Sequence, residues 1–155
     1  MRISSVNQKI SIVAAGIGTL DSLYLAILKL TNNQTMCLQG NGGCWTVNNS
    51  EYSSVYGIPV SIFGILAYVL LLILLFPLEI RGISTTLRNQ MAFGIAFAGF
   101  IFSIYLTYLE IAVIKAVCPF CVISAVMMTV LFICTLLRLV KDRSEYTLSL
   151  EEKNG

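Results

Sequence analysis

Two cysteines in the stretch Cys118-Pro119-Phe120-Cys121 stand at the head of an apolar run that continues to Val140. On a helix, a three-residue spacing puts both sulfurs on one face of the first turn. Proline suits the opening of a helix, because the N–H it lacks has no intrahelical partner there. The partial positive charge of a helix N-terminus stabilises a thiolate, the form that attacks disulfides and donates electrons. The stretch therefore has the form of a redox-active dithiol at a membrane surface. The same pattern also serves as half of a zinc site.

A second pair, Cys37 and Cys44, encloses Leu38-Gln39-Gly40-Asn41-Gly42-Gly43. Its glycines let the segment swing, so that both sulfurs can reach different partners. The fifth cysteine, Cys134, lies 13 residues past Cys121. That is about 20 Å along a helix, too far for a disulfide with the others. It reads as a small buried hydrophobe. The chain has no histidine, which excludes histidine-ligated haem and a histidine general base from this chain. Two acids, Asp21 and Glu110, fall inside apolar runs. An acid in a bilayer is a candidate proton relay or a group that pairs helices. Lys29 and Lys115 are placed to pair with Glu110, and a structural role is the reading preferred for both acids.

These residues need elements to hold them. The 155 residues are 57% hydrophobic and 12% charged, against roughly 25% charged in soluble domains. The expected fold is an all-α integral membrane protein. Four runs approach the roughly 20 residues needed to span a hydrocarbon core: about 10–30, 58–76, 90–114 and 118–140. The polar segment 31–57 is rich in asparagine and glycine and forms a loop. Residues 77–89 form a polar link, Lys115, Ala116 and Val117 a tight turn, and 142–155 a charged tail expected to fray. The first run is long, holds Asp21 and lacks a cleavage site, so it is expected to be a retained transmembrane helix.

Eight of the ten basic residues (Arg2, Lys9, Arg81, Arg88, Arg138, Lys141, Arg143 and Lys153) fall on the side of the termini, and Lys29 and Lys115 on the other. This bias places both termini in the cytoplasm and both cysteine pairs on the outer face, where disulfides persist. The net charge of +2 gives no indication of nucleic acid binding. Two dithiol pairs on one oxidising face can pass electrons by exchange. A mobile loop pair and a rigid helical pair suit a shuttle and a terminal site. The acceptor beyond them must be lipid-soluble and take two electrons, as a quinone does. An inert Cys37–Cys44 disulfide or a four-cysteine zinc site remains open on the same residues.

The ordered set Cys37 to Cys44, Ser50-Glu51-Tyr52, Tyr56-Gly57-Ile58-Pro59-Val60-Ser61-Ile62-Phe63-Gly64, Thr107-Tyr108-Leu109-Glu110 and Val117-Cys118-Pro119-Phe120-Cys121 resembles the vitamin K epoxide reductase family, in its bacterial members, over about residues 10 to 140. The resemblance implies a four-transmembrane-helix bundle around a quinone of ubiquinone or menaquinone type. A short horizontal helix in the periplasmic loop would cover the pocket, with Asn49 or Ser50 as its cap and its end before Gly57. Cys118 and Cys121 would be the active-site pair, with Cys121 nearer the quinone. Cys37 and Cys44 would be the shuttle pair, with Cys44 bridging transiently to Cys118. Ser50, Tyr52, Phe63, Tyr68 and Glu110 are the candidate cofactor-binding residues, and no metal is expected.

The resemblance further implies a membrane disulfide-generating oxidoreductase in the bacterial plasma membrane. Its electron donor would be a separate periplasmic thioredoxin-fold, DsbA-like protein, because many bacterial members carry such a domain fused and this sequence stops at Gly155. The alternatives are a quinone or quinone-epoxide reductase, or a non-catalytic scaffold. Vertebrate members have a tyrosine four residues past the second active-site cysteine. Here that position is Ala125, which argues against an epoxide substrate.

Overall fold

The computed structural model describes residues 2–31, 43–76 and 84–154, and all statements of structure refer to these. Five α-helices occur among them: α1 (Arg2–Thr31), α2 (Gly43–Asn48), α3 (Val60–Leu75), α4 (Thr85–Tyr108) and α5 (Pro119–Asn154). A π-helical turn, Leu109–Ile114, extends α4. The four longer helices form a bundle in which α1 and α4 each pack against both α3 and α5. Three helical segments are long and apolar enough to cross a membrane: Val6–Thr31, Thr85–Ile114 and Pro119–Ser144.

The remaining apolar helix, α3, has 16 residues. At 1.5 Å per residue it is about 24 Å long, short of a roughly 30 Å core. Its expected start at residue 58 is moved by Pro59. That residue holds φ at −56° in an extended conformation, and the helix begins at Val60. Phe76 ends it, also extended. At the start of α4, Ser84 accepts a hydrogen bond from Leu87 N–H at 3.3 Å, a cap worth about 1 kcal/mol.

The helix α5 runs through the charged segment expected to fray and reaches Asn154. No glycine or proline interrupts it before Gly155, so nothing in the backbone stops the helix. The helix expected to start at Asn49 or Ser50 instead lies earlier, as α2. It is followed by a 3-10 turn, Glu51–Ser53, and by an antiparallel pair of two-residue strands, β1 (Ser54–Val55) and β2 (Ile58–Pro59). Tyr56 and Gly57 join the strands with φ of 53° and 81°. Positive φ at both central residues is the signature of the tight hairpin turn whose twist matches the strands.

Small residues set the helix spacing. A Cβ at Gly18 would lie 2.3 Å from the Tyr68 ring, and one at Gly64 would lie 2.9 Å from Ser22 Oγ. Glycine at both places lets α1 and α3 approach closely, the usual device where lipid supplies no hydrophobic drive between helices. The central core joins Ala14, Ala15, Tyr68, Leu71, Ala96, Met128 and Leu131. At one end of the bundle Asn7 Nδ2 donates to the Cys134 carbonyl at 3.1 Å. The loop elements and the N-terminus of α5 gather at the other end.

Candidate active site

The site is built at the loop end. Cys44 lies on α2, and Cys118 immediately precedes α5. With Leu28 of α1 they form a buried cluster, against which Leu25, Val47, Phe120 and Cys121 pack. Gly43 makes this possible. A Cβ there would sit 2.4 Å from the Val117 carbonyl oxygen. The α2 backbone thus rests directly on the residue before Cys118. Lys29 ties the same segment to α1, donating from Nζ to the Asn48 carbonyl at 2.6 Å and to Ser53 Oγ at 2.7 Å. Lys29 therefore anchors the loop, and the expected pairing with Glu110 is not what the carboxylate makes.

Glu110 instead turns inward. It is 4% exposed, and its Oε2 accepts the Cys118 backbone N–H at 3.2 Å. Two backbone irregularities bring these residues, eight apart in the chain, together. The π-helical turn widens the end of α4, and Lys115 then adopts a left-handed conformation with φ 54°. A non-glycine residue held there costs about 1–2 kcal/mol. The Glu110 carbonyl offsets part of that by accepting the N–H groups of both Lys115 and Ala116.

Cys118 is the sulfur that the other two approach: Cys44 shares its buried cluster and Cys121 packs against that cluster, so both thiols can donate to Cys118 Sγ. Cys118 stands one residue outside the apolar span that begins at Pro119. Its thiol is lowered to about 7, first by the hydrogen bond from Cys121. Burial opposes this, and the N–H groups of Cys121 and Phe120 and the Cys44 thiol add to it. A thiol that ionises near neutral pH is the better-suited nucleophile in exchange.

Beside the sulfurs a cavity of about 600 Å³ opens between α3, α4 and α5, within the range of roughly 300–1,000 Å³ usual for small-molecule sites. Cys121 lines it, and so do Ser50, Tyr52, Phe63, Tyr68 and Glu110. The Ser50 hydroxyl donates to the Val47 carbonyl at 2.8 Å and makes no side-chain cap. Tyr68 is fully buried, and its hydroxyl donates to the Ser124 carbonyl at 2.8 Å. The sequence reasoning passed over Ser61. It lines the cavity, and its Oγ is buried without a hydrogen-bond partner. Its signal was a hydroxyl within an otherwise apolar stretch, Val60 to Phe63.

Cys37 lies outside the described residues. Cys134 is buried at the far end of the bundle, apart from the other sulfurs. Among the described residues, no group of three or more His, Cys, Asp or Glu side chains is arranged to hold a metal.

A family model, described as the vitamin K epoxide reductase family, matches residues 9–136. Over 118 residues the chain is 33% identical to the thiol-disulfide oxidoreductase LTO1 of Arabidopsis thaliana. That match covers 73% of this chain and 31% of the plant protein, so the chain spans about a third of that relative's length. Family match and apolar helices together establish a multi-pass membrane protein that belongs to the vitamin K epoxide reductase family.

Proposed function

We propose that the protein is a membrane thiol-disulfide oxidoreductase that takes electrons from a thioredoxin-fold partner and delivers them to a quinone, leaving a disulfide in the partner. The observation that carries this reading is the packing of Cys44, Cys118 and Cys121 into one cluster at the edge of an apolar cavity lined by Cys121.

The residues suit a quinone. The cavity wall is chiefly apolar, with few polar groups, and Ser61 presents a hydroxyl with no partner of its own. A quinone, when bound, supplies an acceptor for two electrons and two protons. Tyr52 and Phe63 bring aromatic rings to the cavity wall, and a turn of the Ser61 side chain would bring its partnerless hydroxyl to a ring oxygen.

Electron flow then follows the sulfur contacts. The partner's dithiol reduces a Cys37–Cys44 disulfide and leaves as a disulfide. The Cys44 thiolate attacks Cys118 Sγ of a Cys118–Cys121 disulfide. The Cys44–Cys118 bond forms, the Cys118–Cys121 bond breaks, and Cys121 departs as a thiolate. Cys37 then attacks Cys44, restoring the loop disulfide and freeing Cys118. The two electrons held by the Cys118–Cys121 dithiol pass from Cys121 into the cavity, and the disulfide re-forms. In this reading the helices form four spans of a bacterial plasma membrane, both termini are cytoplasmic, and the cysteine end faces outward.

A quinone-reduction assay on the purified protein tests this, with a reduced thioredoxin-fold protein as donor. Cys37→Ala, Cys44→Ala, Cys118→Ala and Cys121→Ala should each abolish partner-driven turnover. Dithiothreitol should bypass Cys37 and Cys44 but not Cys118 or Cys121. Absence of turnover with both ubiquinone and menaquinone analogues would refute the reading.

A further inference from the structure

Glu110 does more than the scheme above asks of it. Its Oε2 accepts the Cys118 N–H at the head of α5, and the carboxylate and the Cys121 thiol, three residues further along, share the cavity wall. The proton on Cys121 therefore has two neighbours able to take it: Cys118 Sγ and the Glu110 carboxylate. While Cys121 donates to Cys118, negative charge rests on Cys118, the sulfur next to Cys44. Before Cys121 can release electrons into the cavity, its proton has to leave.

Other groups in the neighbourhood are not placed to take it. The chain has no histidine. Lys29 Nζ is engaged by Asn48 and Ser53. The Tyr68 hydroxyl is turned to Ser124. Asp21, the other buried carboxyl among the described residues, does not line the cavity. Glu110 lines it together with Cys121, so a proton received from the sulfur side can be passed to the cavity side.

We propose that Glu110 is a catalytic proton acceptor, taking the Cys121 proton as the Cys118–Cys121 dithiol is oxidised and handing it to the electron acceptor in the cavity. The step balances. With Cys118 already a thiolate, the Cys121 S–H bond breaks and one S–S bond forms; two electrons go to the acceptor with the Cys121 proton by way of Glu110, and the acceptor's second proton comes from water, which took up the proton of Cys118 when that thiol ionised. The acceptor's identity as a quinone rests on the reading above; the proton's route does not. The π-helical turn and the left-handed Lys115 then have a purpose, because they bring the carboxylate to the Cys118 N–H at the head of the helix that carries Cys121.

Glu110→Gln is the informative variant, since the amide oxygen still accepts the Cys118 N–H while the base is lost. Two readouts are needed. The first is the infrared S–H stretch of Cys121 in a Cys118→Ala background without quinone, which should move to higher frequency when the carboxylate is replaced. The second is the single-turnover rate of dithiol oxidation, once by a quinone and once by the soluble oxidant diamide. Loss of a general base lowers such rates by ~10²–10⁴-fold. Glu110→Asp keeps an acid one methylene further back and should give an intermediate rate, which also serves if the Gln variant fails to fold.

A loss of rate with both oxidants supports the proposal. A loss with diamide in a protein that does not react with any quinone supports it too, and refutes the quinone reading instead. Unchanged rates in Glu110→Gln overturn the proposal, whatever the S–H stretch does.

Discussion

Gly43 and Val117 touch backbone to backbone. A Cβ on Gly43 would lie 2.4 Å from the Val117 carbonyl oxygen and 3.2 Å from its carbon. Each residue directly precedes a cysteine of the site, Cys44 or Cys118. Bare contact between two main chains therefore sets how closely those sulfurs approach. Gly43→Ala must push α2 off the head of α5. Misplacement of reacting groups by about 1 Å costs roughly 10²-fold in rate. Partner-driven turnover should fall by that order, while turnover driven by dithiothreitol, which bypasses Cys44, should persist.

Cys118 should titrate with a midpoint near 7, because its thiolate is stabilised first by the Cys121 thiol. Thiolate absorbance, taken as the difference from Cys118→Ala, should be low at pH 5 and complete by pH 9. Cys121→Ala removes the leading donor, so the midpoint should move upward. An unmoved midpoint would mean that the helix terminus alone holds the charge.

Two glycines of α1 make a matched pair. A Cβ at Gly18 would strike the Tyr68 ring, whereas one at Gly16 meets nothing within 4 Å. Overpacking costs about 1–3 kcal/mol. Gly18→Ala should lower the thermal midpoint in detergent, and Gly16→Ala should leave it unchanged or slightly raised. Equal effects would argue against close α1–α3 packing.

Lys29 holds the loop by two hydrogen bonds from a charged donor, each worth about 1.5–3 kcal/mol. Lys29→Met should release the segment 43–59. Limited proteolysis there should speed up by at least about tenfold while the helices stay intact, as read by mass spectrometry of the fragments.

Ser61 lines the cavity, and its Oγ is buried with no partner. If it receives a ring oxygen of the bound quinone, Ser61→Ala loses one hydrogen bond of about 1 kcal/mol. The KM for quinone should rise roughly fivefold with kcat nearly unchanged. An unaltered KM would assign the ring another orientation.

The apolar runs located all four long helices, because lipid-facing and core-facing positions are alike apolar and hydropathy registers both. Their ends were less legible. The first helix begins at Arg2, well before the apolar run, and the last continues to Asn154, since polar residues sustain a helix as well as apolar ones do. The hairpin at Tyr56-Gly57 depends on a tyrosine at positive φ, which its residue type does not announce. Cys44, Cys118 and Cys121, which the structure brings together, were legible by spacing, and Glu110 by its charge in an apolar setting. Its contact with Cys118 was not legible. It arises from a π-helical turn and a left-handed lysine, both of which depend on tertiary hydrogen bonds rather than on local preference. Ser61 was missed because a single hydroxyl in a helix ordinarily satisfies itself on its own backbone.

The wide turn at Leu109–Ile114 also bears on how this segment can vary in length. A π-helical turn holds one residue more than an α-helix of the same span. Removing one residue from it would let α4 close up into regular α geometry and rotate everything beyond by about 100°. Glu110 and the Cys118 N–H would then face different directions, although every named functional side chain would still be present. Apolar substitutions at Ile111, Ala112 and Val113, all on the exposed side, should be borne easily. An insertion or deletion at the same positions should not, which makes residue count, rather than residue identity, the quantity this turn constrains.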